Sequence, residues 1–346
     1  MPCSGRFVVR ALTALAATAV LATARPAAAQ TSPTAAAPTV RVAGLAFAQY
    51  EIWASDTAAH TNQFDVTRAY LSAIGTFDHG ISARITGDVY RNAEKSLGYR
   101  LKFAYFTWQP GGKAPVDFRF GMTQTPWIDW QESLYGFRMQ GPIPLDRYGY
   151  ITASDIGAAM DFTTADKGVS GVVAVMNGEG FANPSGGQYK DVIGRGTVRL
   201  LKSDDAGAAG GLRLSGYAQV GRFDPSGDAR RRFIGELSWK SKALSLGGEY
   251  GIAVNGSGHA HVLSGFGVVN FDGSPWQLLT RIDRFDPNGD LGGDAFTRYI
   301  AGMAYRLSPN VRVLGDIDAA AYQAAVIAPA AQAQKTRLLF QTELVF

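Results

Sequence analysis

From Thr39 to Phe346 the chain repeats one pattern, a segment of about ten to fifteen residues whose side chains alternate apolar and polar, closed by turn residues. Gly80 to Arg91 sets Ile81, Ala83, Ile85 and Val89 against Ser82, Arg84, Thr86, Asp88 and Tyr90. Leu212 to Val220 and Lys335 to Phe346 repeat the arrangement. A side-chain period of two is that of a β-strand with two different faces. The segmentation predicts strands over 39–53, 64–78, 80–91, 98–110, 116–125, 154–165, 168–178, 190–203, 211–223, 231–241, 243–254, 259–271, 275–286, 296–308, 310–322 and 335–346, sixteen in all. The chain is therefore expected to be all-β.

The connections separate a sandwich from a barrel. Tight turns at Asp78-His79-Gly80, 111–115, 165–168, Ser241-Lys242, 272–275 and 308–310 alternate with longer polar loops, and only 204–211 is long where a short turn is expected. Short connections at one end and long ones at the other mark an antiparallel transmembrane β-barrel with both termini on the short-turn side. A sandwich would need Greek-key crossovers. Aromatic residues fall near predicted strand ends, among them Tyr50, Trp53, Phe77, Tyr99, Trp108, Trp239, Trp276 and Phe346, where interfacial girdles form.

Residues 1–29 read as a secretory signal, with Arg6 and Arg10 before the apolar stretch Val8 to Leu21 and Ala27-Ala28-Ala29 ahead of Gln30. Residues 30–38 form a Pro/Ala linker before a barrel at 39–346. Losing Arg6, Arg10 and Arg25 would lower the formal charge from +4 to +1, and would remove Cys3, the one cysteine. No other run is long and apolar enough for a membrane helix. The expected location is the outer membrane of a Gram-negative-type bacterium.

One stretch breaks the period. Between the alternating ends Val116–Thr123 and Asp155–Phe162, the residues 126–154 carry Trp127, Trp130, Tyr135 and Phe137 without a clear repeat. Irregular segments of that length are uncommon in compact domains unless functional. The third long loop is thus expected to fold into the barrel mouth and narrow it. The four rings fit either a track for sugar rings or packing against the wall.

With the polar face taken as the lumen, the inward cations are Arg68, Arg84, Arg100, Lys102, Arg119, Arg195, Arg199, Arg213, Arg232, Lys240, Arg281, Arg312 and Arg337. The inward acids are Asp88, Asp117, Asp155, Asp161, Asp191, Glu236, Glu249, Asp283, Asp316, Asp318 and Glu343. Thirteen against eleven predicts segregated clusters and modest selectivity rather than a ring of one sign. The planar fork of arginine suits carboxylate and phosphate. Arg119, Arg138 and Arg147, with Asp129 and Glu132 on the loop and Arg100 and Lys102 on the wall, are the candidate constriction and solute-binding residues.

The segments FDVTRAYLSAIGTF (64–77), FRFGMTQTP (118–126), DIGAAMDF (155–162), MNGEGF (176–181), KDVIGRGTV (190–198), WQLLTRIDRFDPN (276–288) and LLFQTELVF (338–346) resemble, in their order and spacing, the phosphate-selective porin O and P family of outer-membrane porins. The resemblance implies a sixteen-stranded barrel, a homotrimer, an inward third extracellular loop, and a terminal Phe346 segment read by the barrel-insertion machinery. Phosphate-selecting members are expected to carry lysines at the constriction; Pro126 to Ala165 has none, and its cations are Arg138 and Arg147. The function expected is passive diffusion of small hydrophilic solutes, weakly favouring anions, with phosphate or other oxyanions among them. A structural or adhesive barrel with a closed pore is the second reading.

Other chemistry is thin. Asp286, Asn288 and Asp290 place oxygen donors at alternate positions, as a calcium loop does, without the bidentate glutamate of an EF-hand. The histidines His60, His79, His259 and His261 are all expected in loops or turns, and no Ser or Cys nucleophile has a recognisable context with them. No cofactor is implied, and no basic stripe suggests nucleic acid.

Overall fold

The computed structural model describes residues 38–92, 94, 96–111, 115–182, 187–323 and 335–346. The expected signal at 1–29 and nearly all of the 30–38 linker lie outside them. The strands are β1 Thr39–Trp53, β2 Asn62–Thr76, β3 Ile81–Arg91 and β4 Leu97–Trp108. Next come β5 Val116–Gln124, β6 Ser154–Thr163, β7 Val169–Met176 and β8 Asp191–Leu201. The second half holds β9 Gly211–Arg222, β10 Ala229–Lys240, β11 Leu244–Asn255 and β12 Gly258–Asn270. The last four are β13 Trp276–Asp286, β14 Phe296–Ser308, β15 Val311–Tyr322 and β16 Thr336–Val345.

Each strand pairs antiparallel with its neighbours in sequence, and β1 pairs with β16, so the sheet closes on itself. The seam runs from Leu45 opposite Val345 to Trp53 opposite Arg337. Gly44 N–H donates to Phe346 O at 2.8 Å and Phe346 N–H to Gly44 O at 3.1 Å, extending the seam by one rung.

Polarity is inverted relative to a soluble protein. Phe64, Phe120, Leu263 and Phe340 are exposed, whereas Asp88, Asp191, Arg213 and Asp283 are completely buried. A closed sheet with an apolar exterior suits hydrocarbon, because no strand edge is left with unpaired N–H and C=O groups. No helix of the described residues is long and apolar enough to cross a membrane.

Three expectations need correction. The connection between β11 and β12, on the long-loop side, is a tight hairpin at Gly256-Ser257, where Gly256 takes φ +61°. His259 and His261 stand on β12, not in a loop, because that strand begins directly after the hairpin. The inner face is not polar all round: Ala260, Val262, Phe266 and Val268 on β12, Leu279 on β13, Ile300 on β14 and Leu314 on β15 form a buried apolar patch. The polar face also includes Glu51, Arg230 and Arg298, absent from the inward charges expected above; Arg230 sits before the predicted start of its strand.

The wall tolerates side chains unevenly. Gly121 and Gly157 face each other across β5 and β6. Gly121 has φ +122°, and a Cβ there would stand 2.3 Å from Ala104 O; at Gly157 it would stand 2.1 Å from Val175 O. At Gly196 and Gly216 nothing lies within 4 Å. Gly121→Ala is expected to lose about 1–3 kcal/mol, and Gly216→Ala to stay within about 0.5 kcal/mol of wild type. Urea unfolding in lipid vesicles, followed by tryptophan fluorescence, measures both; equal losses would contradict this packing.

Candidate functional site

The long connection between β5 and β6 is ordered. Helix α1, Pro126–Tyr135, opens on Pro126 in the first turn and ends at Gly136, whose φ of 68° turns its N–H back to Glu132 O. A single 3-10 turn at Arg138–Gln140 and the one-turn helix α2, Pro144–Arg147, follow. The helix is amphipathic. Trp127, Trp130, Gln131, Leu134 and Tyr135 are buried and recur at i, i+3, i+4, i+7 and i+8, the spacing of one helical face. Asp129, Glu132, Ser133 and Gly136 occupy the other face.

The apolar face packs against β8, β11 and β12. Trp127 stacks obliquely beside Tyr217 at 5.7 Å, and Tyr135 meets Phe266 edge-on at 5.4 Å. Trp127, Trp130, Tyr135 and Phe137 are all buried, so the four rings pack rather than form a track for sugars. The indole N–H groups find strand carboxylates: Trp127 donates to Glu249 at 3.1 Å and Trp130 to Glu236 at 2.8 Å. Gln131 Nε2 donates to both of these glutamates.

Beyond the helix, cations of the strands hold loop carbonyls. Arg312 Nη2 donates to Gly136 O at 2.6 Å, Arg281 Nη1 to Pro142 O at 3.0 Å, and Arg232 Nε to Tyr150 O at 2.7 Å. Lys240 Nζ donates to Ser133 O at 2.5 Å, and Gln341 Nε2 to Met139 O at 2.8 Å. The rings of Tyr148 and Phe285 stack at 4.1 Å. Arg232, Lys240, Arg281 and Arg312, which the periodicity marks as inward cations, thus fasten the loop.

Arg147 belongs to the same fastening. Its Nη1 lies 3.5 Å from Asp318, its Nη2 donates to Gln140 Oε1 at 3.2 Å, and its side chain is only 12% exposed. Burial, together with the neighbouring Arg281 and Arg298, lowers its pKa to about 10. Asp318 also receives Arg298 and Arg337, the latter at 2.7 Å.

The remaining candidates come together elsewhere. Arg119 makes a two-pronged pair with Asp161 at 2.6 and 2.9 Å, and Arg100 Nε donates to Asp88 at 3.0 Å. Arg68 lies 3.8 Å from Asp88 and donates to the Tyr70 hydroxyl at 2.5 Å; Lys102 donates to the same hydroxyl. Arg84 covers the Phe103 ring at 4.7 Å, and Arg195 covers Trp130 at 4.9 Å. Six cations on β2, β3, β4, β5 and β8 thus share two directly paired carboxylates among the described residues.

The loop answers with acids. Arg138 bridges Glu132 at 2.7 Å and Asp146 at 3.3 Å; burial opposes its charge, but those two carboxylates outweigh burial and raise its pKa. Asp129 is solvent-accessible and forms no ion pair among the described residues. Crowding by surrounding protein raises its pKa, and Arg119 and Arg195 pull it back down. Glu132 is raised by burial too, against the pull of Arg138 and Lys102. Tyr70, Arg68, Arg84 and Arg195 join this group without having been singled out at the constriction; alternation marks the three arginines as inward, but it does not say which strands the loop faces.

The calcium candidates Asp286, Asn288 and Asp290 lie at the end of β13 and in the turn that follows it. Asn288 Oδ1 accepts the Asp290 N–H at 3.2 Å in an ordinary turn, and Asp290 lies 3.5 Å from His259 Nδ1. Among the described residues no three of His, Cys, Asp and Glu gather as a metal site needs.

No protein-family model matches the sequence, the phosphate-selective porins included, and no curated protein matches it. Solved structures do. The anion-selective porin from Comamonas acidovorans superposes with a TM-score of 0.67 at 14% identity, over 89% of this chain and all of that one. Salmonella typhi OmpF, solved with daunomycin, gives 0.64 at 12% identity over 89% and 97% of the two chains. OmpT of Vibrio cholerae in its trimer form gives 0.61 at 10% identity over 89% and 99%. At such identities the likeness is one of fold, the closed sixteen-stranded porin barrel.

Proposed function

We propose that the protein is an outer-membrane channel through which small hydrophilic solutes diffuse passively, with anions weakly favoured. The observation that carries this reading is the sorting of charge. Arg68, Arg84, Arg100, Lys102, Arg119 and Arg195 stand on strands and outnumber their partners Asp88 and Asp161, while Asp129, Glu132 and Asp146 stand on the loop and outnumber Arg138 between the last two. Charges so divided set a field across a passage, which orients dipolar solutes and admits ions of both signs. The constriction lies between the polar face of α1 and the wall of β2 to β6, with the 126–154 segment turned inward. Arg119 and Arg138 border it; Arg147 fastens the loop behind it. Oxyanions fit the arginine forks better than monatomic ions do. Residues 1–29 serve as the export signal, Phe346 ends the segment read at insertion, and the barrel assembles as a homotrimer.

Current across a planar bilayer in a KCl gradient tests the channel. Unit charges about 8 Å apart in water interact by ~0.5 kcal/mol, about a twofold change in ion partitioning for each charge removed. Each removal lowers chloride and raises potassium partitioning, so Arg84→Gln with Arg119→Gln is expected to lower the chloride-to-potassium permeability ratio roughly sixteenfold, while Arg147→Gln leaves it nearly unchanged and makes the current noisier. A folded barrel that passes no current would favour the closed structural reading.

Acid should strengthen the anion preference. Asp129 and Glu132 have raised pKa values, so they lose charge as pH falls, starting above the ordinary carboxylate range near 4. The lumen becomes more positive, and the reversal potential moves toward that of chloride. Asp129→Asn with Glu132→Gln should abolish the shift between about pH 7 and 5; the same shift in that variant would refute the assignment.

A further inference from the structure

The outward face of β10 to β13 carries an arrangement that a uniform hydrocarbon neighbour does not call for. Arg231 on β10 and Arg284 on β13 are exposed, and on both strands alternate residues of the same parity face outward: Phe233 and Leu237 with Arg231, Ile282 with Arg284. Neither guanidinium has an ion-pair or hydrogen-bond partner among the described residues. An arginine facing lipid is tolerated near a membrane interface and costly at mid-depth.

Their height follows from two tryptophans. Trp239 and Trp276 stand near the short-turn ends of β10 and β13, where aromatic girdles mark the interface. Arg231 lies eight residues above Trp239, and Arg284 eight residues above Trp276. Eight residues at about 3.4 Å each, tilted by about 40°, rise roughly 21 Å. The apolar band of such barrels is about 25 Å tall. Both arginines therefore reach the opposite interface at one common level; three strand spacings and a register offset of four residues set them roughly 20 Å apart. His261 lies between them on β12, its Nδ1 2.8 Å from the Tyr250 hydroxyl. The acids of this rim include Asp228 before β10 and Asp286, Asp290 and Asp294 after β13, and Asp290 lies beside His259.

Below the arginines, on the same strands, runs an apolar groove of about 860 Å³ lined by Leu237, Leu246, Ile282 and Tyr299, with the backbone of Gly248 and Gly265 as its floor. Gly248 and Gly265 are opposite each other in register, so no side chain fills the centre. A headgroup-level pair of free cations above a chain-sized groove has the polarity of one lipid molecule.

We infer that this face holds a lipid of the outer leaflet with a phosphorylated headgroup, the headgroup spanning Arg231, His261 and Arg284 and an acyl chain in the groove. The inference rests on the outer-membrane reading, which sets the long-loop end outward. It does not depend on an open pore.

The test reconstitutes the mature protein in nanodiscs of phosphatidylcholine with a minor fraction of phosphatidic acid, and weighs the lipid retained on the released barrel by native mass spectrometry. Wild type is expected to enrich phosphatidic acid several-fold over the bulk ratio. Arg231→Gln with Arg284→Gln should return it to the bulk ratio, and Arg231→Lys with Arg284→Lys should restore part of the enrichment. Heat-modifiable gel mobility checks that each variant folds, and bilayer current is recorded from the same samples. Enrichment absent in wild type, or unchanged in the glutamine variant, overturns the lipid site. Disulfide-linked dimers from Leu237→Cys would give the face to a second copy and also overturn it. Loss of current with enrichment intact would sink the channel alone.

Discussion

Closure of the sheet is the constraint from which the other features descend. Strands that cross hydrocarbon must pair every backbone group, and the β1–β16 seam removes the last edge. Once closed, the barrel has two solvents. Apolar side chains go outward, and the inward half of every strand must be satisfied inside a tube too wide for side chains alone to fill. The buried pairs Arg230–Asp191 at 2.8 Å and Arg281–Asp283 at 2.7 Å are one answer. A buried charge without a partner would be far more costly than the pair.

The loop is the other answer, and it gives the lumen two unlike halves. On the side of β8 to β15, α1 lays an apolar face on the inner patch of Val262, Phe266 and Leu279. Side chains such as Leu134 and Ile143 bury at roughly 2 kcal/mol each, and the loop carbonyls are taken up by Arg232, Arg281 and Arg312. The closed barrel thus contains a small dry core. The side of β2 to β6 receives no such apolar helix face, and its arginines stay partly exposed beside single rings such as Phe103 and Phe181.

Period two carried nearly all of the wall, because each strand has one face to lipid and one to the interior, so the sixteen segments agree with the sixteen strands to within two residues. The loop was less legible. Trp127, Trp130, Gln131, Leu134 and Tyr135 have helical spacing, and Thr125-Pro126 and Gly136 mark a start and a stop. Those signals were present but short, set inside a chain dominated by alternation. The acids at 129 and 132 were found without the helix that puts them on one face. Arg147 was placed beside the passage because sequence gives its loop but not which side of the loop it occupies; Asp318, which holds it, is 171 residues away.

The same limit governs selectivity. Thirteen inward cations against eleven acids describe a nearly neutral wall, yet a solute does not meet the sum. Arg232, Arg281 and Arg312 are engaged with loop backbone, and Asp191, Asp283 and Asp318 with Arg230, Arg281 and Arg337. In the proposed channel a solute would meet a subset: the six cations of β2 to β5 and β8 with Asp88 and Asp161, across from Asp129, Glu132 and Asp146 with Arg138 between the last two. That subset is positive on the wall and negative on the loop, so its polarity follows from where α1 docks. The apolar face of α1 therefore sets the field that its polar face completes. In the proposed channel, Trp127 and Leu134 would influence which ions pass although they touch none of them.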